Sequence, residues 1–167
     1  SQIGYMILGL GLFSELALAG VLFFLVHNMM AKSNLFLISG VIGRLKGTTQ
    51  LKELGGLYKE KPFLSVLFLL SAMALAGLPP LSGFFAKLLL VMAAIEAKAW
   101  IAGGLSLFVG LLTLYSMTKI WSYGFWAAEE REVSHTPSLS RGERWGLYAP
   151  VFFLSVGCLL LGVGYPY

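Results

Sequence analysis

The stretch Ala74–Val91, ALAGLPPLSGFFAKLLLV, decides how the rest of the chain reads. It lies inside an apolar run from Pro62 to Glu96. As one straight helix rising 1.5 Å per residue, that run would reach about 50 Å. The hydrocarbon core of a bilayer is only about 30 Å thick. The run must therefore tilt strongly or break, and Pro79-Pro80 mark the place. Each proline lacks an N–H and clashes with the carbonyl four residues back. Gly77 and Gly83 on either side add backbone freedom. A helix broken inside a membrane frees polar backbone groups that protein or water must satisfy, and such breaks are where transporters build ion sites. Lys87 follows in the same span, at an insertion penalty of a few kcal/mol. Together these features point to an ion or proton path.

The composition agrees with a membrane setting. Of 167 residues, 57% are hydrophobic and 12% charged, about half the charged share of a soluble domain. The apolar runs have the length of helices, not of barrel strands. The expected fold is all-α, a polytopic transmembrane bundle of about five spans. The net charge of +4 sits in the loops, where it sets orientation and meets anionic lipid; nucleic acid is not an expected partner. The single cysteine, Cys158, offers no disulfide framework and no cysteine-based metal site. No phosphate loop, GxGxxG, HExxH or serine elbow is present, and the glycines of GLGLF read as packing positions. No enzyme activity, metal or cofactor is expected.

The spans fall at about 1–13 (partial), 16–43, 62–95 (broken), 100–126 and 145–165. The opening SQIGYMILGLGLF is already apolar and has no charged leader, unlike a signal peptide. The expectation is a C-terminal part of a longer polytopic protein, forming one transmembrane domain over 1–167. Ser14-Glu15 form a tight connection, and Glu96–Ala99 another. Polar loops are expected at 44–61 and 127–144. In the first, QLKELGG reads as one or two amphipathic turns at the interface. Trp100, Trp126 and Trp145 stand at span ends as interfacial anchors. The two polar loops hold Arg44, Lys46, Lys52, Lys59, Lys61, Arg131, Arg141 and Arg144, against Lys98 alone on the opposite face. The positive-inside rule puts both loops in the cytoplasm of a multi-pass cell-membrane protein.

Few residues can carry chemistry. Lys87 lies about nine residues, or some 13 Å of helix, before Glu96, too far for easy snorkelling. In the second span, Asn28, Lys32 and Ser39 share one helix face, and His27 and Asn34 line the adjacent row. Such a polar stripe must face protein or water. Histidine can pass protons at neutral pH. Ser82 and Lys119 are supporting polar candidates, although Lys119 is close enough to Trp126 to snorkel. His135, Glu53, Glu60 and Glu129–Glu132 read as solvated loop groups. Glu15 and Glu96 sit at the outer boundary. No buried carboxylate cluster is visible, so a metal site is not expected. On helix rise, Lys87 falls on the outer side of the break.

With these residues in view, SQIGYMILGLGL, LVHNMMAKSNLFLISGVI, LKELGGLYKEKPFLSVLFLLSAMALAGLPPLSGFFAKLLL and LYSMTKIWSYGFW closely resemble the antiporter-like membrane subunits of respiratory complex I, membrane-bound hydrogenases and Mrp-type cation/proton antiporters. LYSMTKIWSYGFW is most similar to the D-type member of the Mrp set. The resemblance implies a larger fold of about fourteen helices with two inverted repeats. It places this chain from the tenth helix to the fourteenth. It implies that Lys87 is the terminal proton site on a broken twelfth helix and that Lys32 is the lysine of the eleventh. Many relatives carry histidine where Asn28 stands, so either His27 or Asn28 holds the relay position. The function expected is a proton-translocating subunit of a multisubunit Na⁺/H⁺ antiporter, using His27, Lys32 and Lys87, with other membrane subunits as partners and protons and Na⁺ as transported ions. The alternatives are the equivalent subunit of complex I or a hydrogenase, or a structural subunit in which Lys32→Met and Lys87→Met leave transport intact.

Overall fold

The computed structural model of the chain describes residues 2–48, 50, 54–127 and 141–164, without the side chains of Arg141 and Arg144. The hub is a long helix, α2 (Glu15–Lys46), preceded by α1 (Gln2–Leu12). Ser14 caps α2 in extended backbone, its hydroxyl accepting from the Ala17 N–H at 3.2 Å, which satisfies one otherwise free amide of the first turn. Glu15 in that turn and Arg44 and Lys46 in the last complement the helix dipole. Gly47, at φ 69°, closes the helix by donating to Gly43 O. The span therefore runs three residues past the expected Gly43, because the stop signal is Gly47 and not the first basic residue.

The polar loop then contains a short α3 (Leu57–Glu60), entered through Gly56 at φ 79°. This turn lies after the Gly55-Gly56 pair; Leu51–Glu53, the centre of the expected QLKELGG turns, lie outside the described residues. Lys46 and Glu60 are not simple loop charges. Lys46 is 4% exposed and its Nζ is paired with Glu60 Oε1 at 2.8 Å, which ties α3 to the end of α2.

The long apolar run breaks into α4 (Pro62–Ala76) and α5 (Ser82–Glu96). Pro62 opens α4 at a position where a missing N–H costs nothing. Gly77, at φ 88°, ends it. Leu78 precedes a proline and is sterically kept out of helical backbone, so the stop comes two residues before Pro79. A turn from Leu78 to Leu81, with a cis Pro79-Pro80 bond, leads into α5.

After α5, Lys98 at φ 54° makes the connection to α6 (Trp100–Trp121). The last turn of this span, Ser122–Trp126, is a π-helix. Its rings pack: Phe125 lies 4.8 Å from Trp121 and 4.5 Å from Phe68. The Gly56 N–H donates to Ala127 O, so the loop after α2 and the end of this span share one end of the bundle. Residues 128–140, including Arg131 and His135, lie outside the described residues. The last helix, α7, runs Arg141–Val163. Its first turn takes up the final residues of the expected 127–144 loop; Ser140 followed by Glu143 has capping-box spacing in the sequence.

The chain thus forms an all-α membrane bundle with one broken helix. Glu15–Lys46, Trp100–Trp126 and Trp145–Val163 are each long and apolar enough to cross a bilayer, and α4 with α5 supplies the broken run. Trp100, Trp126 and Trp145 are exposed at span ends. Helix α2 packs against α1, α4, α5 and α7. Gly20 lets it approach α5 closely, since a Cβ there would sit 3.1 Å from Leu90 Cδ2.

Candidate functional site

In an unbroken helix, the carbonyls of Leu75 and Ala76 would accept from the N–H groups of residues 79 and 80. Both of those are prolines. The pair therefore orphans two specific carbonyls at the end of α4. Lys87 replaces the missing donors: its Nζ donates to Leu75 O at 3.0 Å and to Ala76 O at 2.8 Å. The Lys87 Cα lies beyond the break, as the sequence indicates, but helical side chains lean toward the N-terminus. The ammonium consequently folds back onto the break itself instead of extending away from it.

Two charge-assisted hydrogen bonds contribute about 1.5–3 kcal/mol each. That matches the roughly 2.5–3.5 kcal/mol penalty for a lysine at a span centre, so the ammonium is held there with no carboxylate partner among the described residues. Its third N–H remains for another partner. Tyr5 of α1 offers its ring face 5.3 Å from Nζ, within cation–π range. A cavity of about 320 Å³ lies alongside, lined by Tyr5, Gly77, Phe84, Lys87 and Ser106 among others.

His27 approaches the other side of the break. It is fully buried, and its Nδ1 is 2.8 Å from Ser82 Oγ. Its Nε2 has no hydrogen-bond partner among the described residues and faces Gly83, where a Cβ would lie 2.8 Å from it. His27, Ser82 and Lys87 are thus gathered around one break by α2 and α5.

Asn34 is also fully buried, but in a different node. Its amide donates to Ser71 Oγ of α4 at 2.6 Å and Ser155 Oγ of α7 at 2.7 Å. The node joins three helices, with Asn34 Oδ1 left over. Ser71→Ala is expected to lower stability by about 1 kcal/mol, the scale of interhelical hydrogen bonds in membranes; an unchanged unfolding curve in SDS would refute it. Asn28 is buried beside His27 with its Oδ1 unpartnered among the described residues. Lys32 and Ser39 stand apart. Both line a second cavity of about 430 Å³, with Phe68, Met117 and Phe125. The stripe expected on α2 is therefore divided between the break, the Asn34 node and this cavity. Lys119 is exposed on α6.

The sequence reading did not bring in Tyr5, Ser71 or Ser155, and took Cys158 only as offering no disulfide framework or metal site. Nothing local marks Tyr5, which reaches Lys87 across 82 positions of chain. The carbonyl pair at Leu75 and Ala76 did have a signal, the four-residue offset from the two prolines.

Residues 1–118 match the family described as NADH:quinone oxidoreductase/Mrp antiporter, transmembrane. The chain belongs to that family. Helices α1 to α5 and most of α6, including the whole broken run, lie in the matched segment, and α7 lies beyond it. Among the antiporter relatives, the D-type Na⁺/H⁺ antiporter subunit of Alkalihalophilus pseudofirmus is 43% identical over 97% of this chain and 32% of its own length. That of Bacillus subtilis is 34% identical over 98% of this chain and 32% of its own. The chain thus spans about a third of the length of these relatives. Of solved structures in the same antiporter and oxidoreductase group, the Mrp complex from Dietzia sp. superposes with TM-score 0.83 at 35% identity, over 98% of this chain and 38% of that one. Respiratory complex I from Thermus thermophilus with bound NADH gives TM-score 0.83 at 26% identity, over 98% and 33%.

Proposed function

We propose that this chain is part of the proton-translocating membrane subunit of a multisubunit Na⁺/H⁺ antiporter. The observation that carries the reading is the Lys87 ammonium held on two proline-orphaned carbonyls, with His27 and Ser82 at the same break. Such a group can release and regain a proton without losing a structural ion pair. His27 and Lys87 carry the proton, and Lys32 serves it from the neighbouring cavity through water. Loops 44–61 and 127–144 face the cytoplasm, as their basic residues favour, and other membrane subunits cover the exposed apolar faces. A complex I role has the support of an equal superposition, but the higher identity to the Mrp complex favours antiport.

Inverted vesicles containing the intact complex test this. Added Na⁺ should dissipate an imposed proton gradient, and His27→Ala should slow that dissipation about tenfold or more, as for loss of a positioned proton-transfer group. Wild-type dissipation by the variant would refute the relay. Vesicles that respond to NADH and not to Na⁺ would favour the complex I reading.

A further inference from the structure

Helix α7 lies outside the family match and contributes nothing to the charge path, yet one of its faces is built against the break. Val151, Ser155, Cys158 and Gly162 are buried on that face, at spacings of four, three and four residues. Ser155 bonds Asn34 of α2. Cys158 lies against Ser82. One turn on, Gly162 meets the backbone of the break directly. A Cβ on Gly162 would lie 2.6 Å from Ser82 N and 2.7 Å from Leu81 C, and closer still to Pro80 O. Ser82 is the residue that bonds His27. The groups facing Ser82 are therefore His27 from α2 and Cys158 from α7, with Lys87 farther along its own helix.

We propose that Gly162 is a positioning residue: α7 seats the Pro80–Ser82 turn through this missing side chain, and so sets the Ser82–His27 contact. The proposal rests on the proton-relay reading for its functional consequence, and on geometry alone for its structural one. Ordinary contact begins at 3.4 Å, so a methyl group at Gly162 must push the turn or α7 by about an ångström. The obstacle is main chain, which cannot rotate aside. The helix itself does not object, since alanine is the better helix former. The 2.8 Å Ser82–His27 contact has little slack before it leaves hydrogen-bond range, at about 3.2 Å.

The test is Gly162→Ala in the intact complex, read by cryo-EM and by antiport in vesicles over a range of pH. Gly157→Ala is the control: a Cβ there meets the end of the flexible Met30 side chain instead of backbone. The expected result is a Ser82–His27 separation beyond hydrogen-bond reach, a shifted pH profile and antiport slower by up to about a hundredfold per assembled complex, on the scale that a 1 Å misplacement produces. Gly157→Ala should retain wild-type values. An unchanged Ser82–His27 distance, or an unchanged pH profile and rate, would overturn the proposal. If Gly162→Ala does not assemble, Cys158→Ala decides, because it removes volume and the Ser82 contact without adding bulk; a shifted profile supports the proposal and a wild-type profile overturns it. Lys87→Gln run in parallel separates the two readings. Its full activity would sink the relay while leaving the Ser82–His27 distance to judge Gly162.

Discussion

Lys87→Gln is expected to abolish Na⁺-driven proton movement while leaving the complex assembled. Glutamine keeps N–H donors for Leu75 O or Ala76 O, the carbonyls that Lys87 now serves. It loses the ammonium and with it any proton to pass on. Lys87→Met makes the complementary case. Methionine has no donor, so both carbonyls are left bare in an apolar setting, where each unsatisfied group costs several kcal/mol. That variant should assemble poorly as well as fail to transport. The pair separates the two duties of one side chain: structural cap and proton site. The measurements are the amount of complex in the membrane by native gel and antiport per assembled complex in inverted vesicles. Full transport by Lys87→Gln would end the proton-site reading. Normal assembly of Lys87→Met would end the capping account.

The second large effect is expected at Gly83. This glycine has no left-handed backbone to explain it; it sits in the first turn of α5. What requires it is proximity on two sides. A Cβ would collide with Ala74 O and would stand 2.8 Å from His27 Nε2 and 2.9 Å from His27 Cε1. The Ala74 carbonyl cannot move cheaply, because it accepts from the Gly77 N–H that closes α4. Gly83→Ala must therefore part α4 from α5 and turn the His27 ring. Overpacking of this kind costs about 1–3 kcal/mol, and the displaced imidazole should lower antiport by about a hundredfold, as a 1 Å misplacement can. Gly103→Ala is the matched control, since a Cβ there makes only an ordinary 3.7 Å contact with Ala94 Cβ. Equal activity of the two variants would show that the close approach at Gly83 is not needed.

Legibility in the sequence followed the range of the forces. Break position and anchors are local and can be read from Pro79-Pro80 and the tryptophans; the end of α2 is local too, but its signal is Gly47, not the basic residue before which the expected span stops. Lys87 stood out because a charge in an apolar run has few harmless explanations. The α2 stripe was harder. Helical spacing put Asn28 and Lys32 on one row and His27 and Asn34 on another, but a wheel does not say which neighbour each position meets. His27 and Asn34 share one row but stand two turns apart along α2, one at the break and the other in the node with Ser71 and Ser155, while Lys32 lies on the other row beside a cavity. Lys46 and Glu60, fourteen positions apart, gave no sign that they would pair.

By itself, then, the sequence determined that this is a membrane bundle, that its third span breaks at Pro79-Pro80, and that Lys87 follows the break. These are consequences of apolar length, absent proline N–H groups and the expense of a charge in lipid, all of which act along the chain. Tertiary structure decided what the break is made of. It folded the Lys87 ammonium back onto Leu75 and Ala76, brought His27 to Ser82 across 55 positions of chain, set Tyr5 over the ammonium, and pressed Gly162 of α7 against Pro80–Ser82. Those contacts depend on how helices pack in three dimensions, through small residues and missing side chains, and packing partners far apart in sequence leave no periodic trace in it.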